Sequence, residues 1–103
     1  MPIRHIDARE AKRLVDGGAV LIDVREPGEY AAESIPGARN HPLSSLAEAP
    51  PGPALGKVVF HCKSGGRTRM ASAALSSCTD AEAYIMDGGI EGWKAEGYPV
   101  TRG

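Results

Sequence analysis

The run His61-Cys62-Lys63-Ser64-Gly65-Gly66-Arg67-Thr68 gathers the residue types from which a nucleophilic site is made. Cysteine attacks as the thiolate, and a thiol of ordinary pKa, ~8.5, is only a few per cent ionised at pH 7. Each unit by which that pKa falls requires about 1.4 kcal/mol of differential stabilisation of the anion. The surroundings of Cys62 push in that direction. A helix expected from Thr68 onward aims its unpaired N–H groups and positive dipole end back into the loop. Gly65 and Gly66 allow successive amides to turn inward as a nest for an anion. Lys57, Lys63, Arg67 and Arg69 place four cations between residues 57 and 69, with no acid among them. A lone cysteine after a strand is commonly a packed small hydrophobe. The succession of strand, cysteine, cation, Gly-Gly, arginine and helix favours a reactive one.

The elements that must hold this loop follow from breakers and apolar periodicity. Asp7-Ala8-Arg9-Glu10 has the form of a helix start, Ala11, Leu14 and Val15 supply its apolar face, and Gly17-Gly18 ends it. The apolar run from Ala19 to Val24, rich in β-branched residues, reads as a strand buried on both faces, and so does Lys57–His61. Pro27 opens a short helix through Glu33, and Ile35-Pro36-Gly37-Ala38 turns the chain. The alanine-rich stretch from Thr68 to Ser77 predicts a helix, Ala83–Met86 a third strand, and Ile90–Glu96 a last helix. Strands alternating with helices argue for one α/β domain over residues 1–103, with a central, mostly parallel sheet flanked by helices on both faces. Such sheets place their sites at the carboxyl ends of the strands, here Asp23-Val24-Arg25 and His61-Cys62. Pro50-Pro51-Gly52-Pro53 reads as a surface loop within that domain, because flanks of about 50 residues are too short for separate cores.

Composition excludes several classes. The chain has 103 residues, 42% hydrophobic and 24% charged, and a formal charge of −1. With no excess of positive charge and few aromatic rings, nucleic-acid binding is not expected. Two cysteines make neither a disulfide scaffold nor a four-ligand zinc site. No apolar run approaches the ~20 residues of a membrane span, and Met1-Pro2-Ile3-Arg4 opens no signal peptide. A soluble, cytoplasmic domain is the expectation. Near-neutral overall but basic around Cys62, the chain has the pattern of a small-anion pocket.

The motifs together resemble the single-domain rhodaneses, a sulfurtransferase family, over nearly the whole length. Leu21-Ile22-Asp23-Val24-Arg25-Glu26-Pro27-Gly28-Glu29-Tyr30 is similar to the family's first signature and Ser34-Ile35-Pro36-Gly37-Ala38 to its second, although Ser34 stands where the family usually has histidine. Cys62-Lys63-Ser64-Gly65-Gly66-Arg67 is similar to the active-site loop, and Asp87-Gly88-Gly89-Ile90-Glu91-Gly92-Trp93 to the closing signature. Related cysteine phosphatases and arsenate reductases carry five residues between cysteine and arginine, whereas here four separate Cys62 from Arg67. The resemblance implies that the shorter loop cradles a persulfide sulfur and the longer one a tetrahedral oxyanion.

It further implies double displacement. Cys62 takes the outer sulfur of a small anionic donor such as thiosulfate, then yields it to cyanide, a small thiol or a protein thiol, without metal or organic cofactor. Lys63 and Arg67 would attract and orient the donor, and Gly65 and Gly66 act through their backbone. Ser64 either donates to the sulfur or is simply exposed, and Thr68 is a helix-start residue. Asp23 and Arg25 would brace the loop by charge pairing, the alternative being a surface ion pair, with Glu29 a candidate partner for Arg25. A second function class is a persulfide carrier or binding module serving a partner protein. Cys78 is expected to pack: the intervening helix holds it ~15 Å from Cys62, beyond the ~7 Å that a disulfide allows. His5 and His41 have no metal partners in their spacing. Trp93, Met70 and Leu75 read as packing residues, and Asp80, Glu82 and Glu96 as solvated surface.

Overall fold

A computed structural model describes residues 3–45, 56–77, 79 and 81–102. In chain order the elements are β1 (Arg4–Ile6), α1 (Ala8–Asp16), β2 (Val20–Asp23), α2 (Pro27–Ala32), β3 (Glu33–Ser34) and β4 (Arg39–Asn40). After a single 3-10 turn at Leu43–Ser45 come β5 (Lys57–His61), α3 (Gly66–Met70), α4 (Ser72–Ser77), β6 (Glu82–Met86), α5 (Gly89–Ala95) and β7 (Thr101–Arg102). The expectations for Pro50–Pro53, Cys78 and Asp80 fall outside the described residues.

The central sheet has five strands in the order β1-β6-β5-β2-β4, and every pairing in it is parallel. A separate antiparallel pair joins β3 to β7. Strand alternation divides the interior into two layers. Leu21, Val59, Tyr84 and Met86 face Ala8, Ala11, Ile90 and Trp93 of α1 and α5. Ile22, Val58, Phe60, Ala83 and Ile85 face the other way, against Leu75 of α4. Helices therefore cover both faces, which is why β2 and β5 could be apolar on every residue but their ends.

From β2 the chain proceeds to β4 on one side of the sheet, and from β5 to β6 on the other. The carboxyl ends of β2 and β5 thus flank the point where the winding reverses, the place where parallel sheets leave a crevice. Their register sets Asp23 opposite His61. Cys62, one residue beyond, points to the opposite face and packs with Phe60 and Leu75.

Local signals explain most boundaries. The Asp7 side chain accepts the Glu10 N–H at 2.9 Å, capping α1, while the Glu10 carboxylate turns to Arg13 instead of completing a reciprocal box. The helix expected over 68–77 differs in two ways. It begins at Gly66, because Gly65 at φ 99° takes the left-handed cap position, and it pauses at Ala71 between α3 and α4. Thr68 consequently lies inside the first turn and is fully buried. Met70 follows two residues later, nearly opposite on a 3.6-residue turn, and is 91% exposed where packing was expected; Leu75 is buried as expected. β1 escaped the sequence reading because three residues, two of them charged or polar, carry no alternation to detect.

Candidate active site

Cys62 leaves β5 at the crevice and its side chain turns toward the start of α3. The Gly65 N–H donates to Cys62 Sγ at 3.1 Å, and the Thr68 hydroxyl lies 3.7 Å from the same sulfur. Burial pushes the Cys62 thiol up, but the amides of Thr68, Gly65 and Arg67, with the Thr68 hydroxyl, outweigh it and hold the pKa below its ordinary value. The groups that favour the anion are hydrogen-bond donors fixed by the fold, where the sequence had pointed to cations as well. Thr68 has one hydroxyl proton. It donates to the Gly65 carbonyl at 3.1 Å and can turn that proton to the sulfur when the thiol ionises.

A second helix fixes the loop from behind. Ile90 N–H donates to the Cys62 carbonyl at 2.9 Å and Glu91 N–H to the Lys63 carbonyl at 3.0 Å. With both carbonyls bound away from the sulfur, the loop amides are free to face it. This contact depends on Gly89, whose φ is +55°. A Cβ there would lie 2.6 Å from the Lys63 carbonyl oxygen and closer still to that of Cys62. The role of Gly88-Gly89 was not read from the sequence. The available signal was that two Gly-Gly pairs each follow a buried strand, and those strands, β5 and β6, prove to be neighbours.

The remaining residues of the loop separate into backbone and side-chain roles. Lys63, Ser64 and Gly66 are exposed. Of the two options open for Ser64, the structure shows exposure. The Arg67 amide favours the Cys62 anion, while its guanidinium grips Glu29 of α2 through Nη1–Oε1 at 2.7 Å and Nη2–Oε2 at 2.9 Å. Glu29 therefore partners Arg67 and not Arg25, because α2 lays it beside the loop. Lys57 opens β5, at the end of the strand away from Cys62, and so does not belong to the pocket.

Asp23 and Arg25 are not a surface pair: they are buried and paired at 2.7 Å, at 0% and 5% side-chain exposure. Arg25 also donates to the Glu33 carbonyl at 2.6 Å, and Asn40 donates to the carbonyls of both Asp23 and Arg25. The strand end between them is tied to β5 by the Val24 N–H, which donates to the His61 carbonyl at 2.9 Å. Neither the Asp23 nor the Arg25 side chain hydrogen-bonds a described residue of the 62–68 loop. His61 lies on their side of the sheet. Burial pushes its imidazole pKa down, while Asp23 pulls it up by less. Its Nδ1–H donates to the Cys62 carbonyl at 3.1 Å, and its Nε2 has no hydrogen-bond partner among the described residues and lies 3.9 Å from Asp23. Though adjacent in sequence, His61 and the Cys62 sulfur face opposite layers.

Comparison with known proteins agrees with this geometry. Residues 7–96 match the model of the Rhodanese-like domain family. The chain belongs to the rhodanese family. It is 33% identical over 100 residues to the thiosulfate sulfurtransferase GlpE of Pseudomonas fluorescens, an alignment covering 94% of this chain and 89% of that one. The crystal structure of a rhodanese-related protein from Thermoplasma volcanium superposes with a TM-score of 0.78 at 31% identity, covering 95% of this chain and 97% of that one. The same fold, at 24% identity and a TM-score of 0.76, occurs in a Rhodopseudomonas palustris protein described as a possible tyrosine phosphatase, covering 96% and 85% of the two chains. The rhodanese fold thus accounts for the mostly parallel α/β architecture, and sulfur transfer is the activity of the family. Among the described residues no helix is long and apolar enough to cross a membrane.

Proposed function

We propose that residues 1–103 form a single rhodanese domain that transfers sulfane sulfur through a persulfide on Cys62. The observation that carries this reading is that the Gly65 N–H donates to the Cys62 sulfur at 3.1 Å with the Thr68 hydroxyl 3.7 Å from it, at the start of a helix whose first amides also favour the anion. Fixed donors aimed at a single anionic atom stabilise charge without reorganisation. The Cys62 thiolate attacks the outer sulfur of thiosulfate. The sulfur–sulfur bond of the donor breaks and sulfite leaves with the electron pair, so that the persulfide keeps the single negative charge. Cyanide or a thiolate then attacks that outer sulfur and releases the Cys62 thiolate. Lys63 attracts the anionic donor from its exposed position, Gly65 and Gly66 shape the nest, and the buried Asp23–Arg25 pair holds the strand end beneath it. The cycle needs neither metal nor cofactor. Thiol chemistry of this kind operates in a reducing compartment, and the cytoplasm is the location this reading calls for.

The test is mass spectrometry of the whole protein after exposure to thiosulfate. A species heavier by one sulfur atom, absent in Cys62→Ser and retained in Cys78→Ser, is the expected result. Loading on Cys78, or no loading from any sulfur donor, would overturn the assignment. Loading only from a protein persulfide would make the domain a carrier. Hydrolysis of p-nitrophenyl phosphate at a rate comparable to sulfur transfer would overturn the reading of the loop length.

A further inference from the structure

The charge around Cys62 is smaller than the sequence promised. Lys57 lies at the far end of β5. Arg69 is 65% exposed and approaches Asp87 at 3.9 Å. Asp23 and Arg25 neutralise one another, and burial holds His61 toward its neutral form. Arg67 is the cation best placed to meet a donor, since α3 carries it directly after the Gly-Gly nest. Yet both of its terminal nitrogens are occupied by the two oxygens of Glu29, in the fork-to-fork geometry that binds a carboxylate or sulfonate most tightly. Glu29 is fixed in turn from its own helix, accepting the Glu26 N–H at 3.2 Å. Its carboxyl is held at about 2, mainly by Arg67, so it stays ionised throughout the working pH range. An incoming sulfonate oxygen would have to compete with a carboxylate already seated. Of the three cations that follow Cys62, Lys63 alone is in no ion pair with a described residue.

We propose that Glu29 is a specificity-determining residue, which by holding the Arg67 guanidinium tunes the site toward singly charged sulfane-sulfur donors and away from doubly charged ones. This rests on the sulfur-transfer reading above and names the donor class it favours. The cleanest comparison is thiosulfate against methanethiosulfonate, which has the same sulfane sulfur on a tetrahedral sulfur centre but a methyl group in place of one charged oxygen. With the second donor, Cys62 thiolate attacks the sulfane sulfur, the donor sulfur–sulfur bond breaks and methanesulfinate leaves with the electron pair. One negative charge enters with each reactant and one remains on each product, so no oxidant or reductant is needed.

The experiment measures kcat/KM for both donors, with cyanide as acceptor at low ionic strength, in the wild-type chain and its variants. Glu29→Gln removes the competing charge. A dianion feels the freed guanidinium about twice as strongly as a monoanion, so a two-fold gain for methanethiosulfonate corresponds to about a four-fold gain for thiosulfate. The ratio of the two should therefore shift about two-fold toward thiosulfate, and the shift should shrink in high salt. Glu29→Asp, which keeps the charge, should stay near the wild-type ratio. The double variant Glu29→Gln with Arg67→Gln restores the net charge and should return the ratio to wild type even if absolute rates fall. If Glu29→Gln folds poorly, Arg67→Gln alone, which leaves the Glu29 charge unpaired, should shift the ratio the opposite way, about two-fold toward methanethiosulfonate. An equal change for both donors in either single variant, a shift toward methanethiosulfonate in Glu29→Gln, or a double variant that retains the shifted ratio would refute the role of Glu29. If neither donor loads Cys62 in the wild-type chain, transfer from small anionic donors fails and takes this proposal with it; loading by both with an unmoved ratio sinks only the proposal.

Discussion

Replacing Gly89 by alanine tests whether the second helix sets the reactivity of Cys62. Gly89 has φ +55°, a conformation that costs an L-residue roughly 1–2 kcal/mol. The added Cβ would also meet the Lys63 carbonyl oxygen at 2.6 Å and the Cys62 carbonyl oxygen more closely. Both are backbone atoms, so relief requires α5 to back away from the loop. That movement breaks the Ile90 and Glu91 N–H bonds to these carbonyls, each contributing about 0.5–1.5 kcal/mol net. Together the terms amount to about 2–5 kcal/mol, which in a domain of this size lowers the melting temperature by ~10 °C or more. Once released, the two carbonyls can swing toward the sulfur and displace the amides that favour its anion. Gly89→Ala should therefore lose sulfur loading from thiosulfate even at temperatures where it remains folded. The control is Gly92→Ala in the same helix, where a Cβ meets only the Asp87 carbonyl oxygen at an ordinary 3.6 Å. This change should stabilise the chain by roughly 0.5–1 kcal/mol, as glycine replacement inside a helix does. Thermal melts followed by circular dichroism, with loading read by mass spectrometry, decide the matter. A Gly89→Ala variant that melts within a few degrees of wild type and loads at the wild-type rate would refute the reasoning, as would a Gly92→Ala variant equally impaired.

Other consequences can be checked on the same protein. Thr68→Val removes the hydroxyl 3.7 Å from the Cys62 sulfur and should move the pH profile of iodoacetamide alkylation to higher pH; an unmoved midpoint would assign the depressed pKa to the amides alone. Asp23→Asn leaves the buried Arg25 guanidinium without its carboxylate and should destabilise the fold by about 3–5 kcal/mol, measured by urea denaturation. The Glu29 carboxyl sits at about 2 in the folded chain against an ordinary 4.5, so the stability it contributes is complete above 4.5 and is lost as pH falls toward 2. Urea midpoints at pH 7 and pH 3 should accordingly drop further for the wild-type chain than for Glu29→Gln. An equal drop would show that the Arg67–Glu29 pair adds nothing to stability, as is common for partly exposed pairs.

The scaffold was legible in residues 19–24, 57–61 and 83–86 because strands covered on both faces leave an unmistakable apolar signature between breakers. Asp7 and Gly17-Gly18 marked α1 for equally local reasons. Cys62 and Gly65-Gly66 could be named as a candidate site from chemistry and spacing, since glycines before a helix start allow amides to turn toward a thiolate. Charge was misjudged. Lys57, Lys63, Arg67 and Arg69 are near one another in sequence, but strand length carries Lys57 away and α2 supplies Glu29 to Arg67 from 38 residues earlier. Thr68 lies in the first turn of α3, as a helix-start residue should, but Gly65 in the left-handed region starts that helix at Gly66 and Thr68 is fully buried.

By itself, then, the sequence pointed to a candidate reagent, Cys62, to the order of β2, β5 and β6 with the helices between them, and to the carboxyl end of the sheet as the place of the candidate site. These are properties of short segments, and periodicity and local sterics suffice to set them. Which groups surround that reagent was decided by tertiary structure. Strand alternation sends His61 to the opposite layer from the Cys62 sulfur, strand order brings Gly89 of α5 against the loop, and α2 lays Glu29 across Arg67. The physical reason is that a thiolate responds to donors and charges within a few ångströms, and that neighbourhood is assembled from segments distant along the chain.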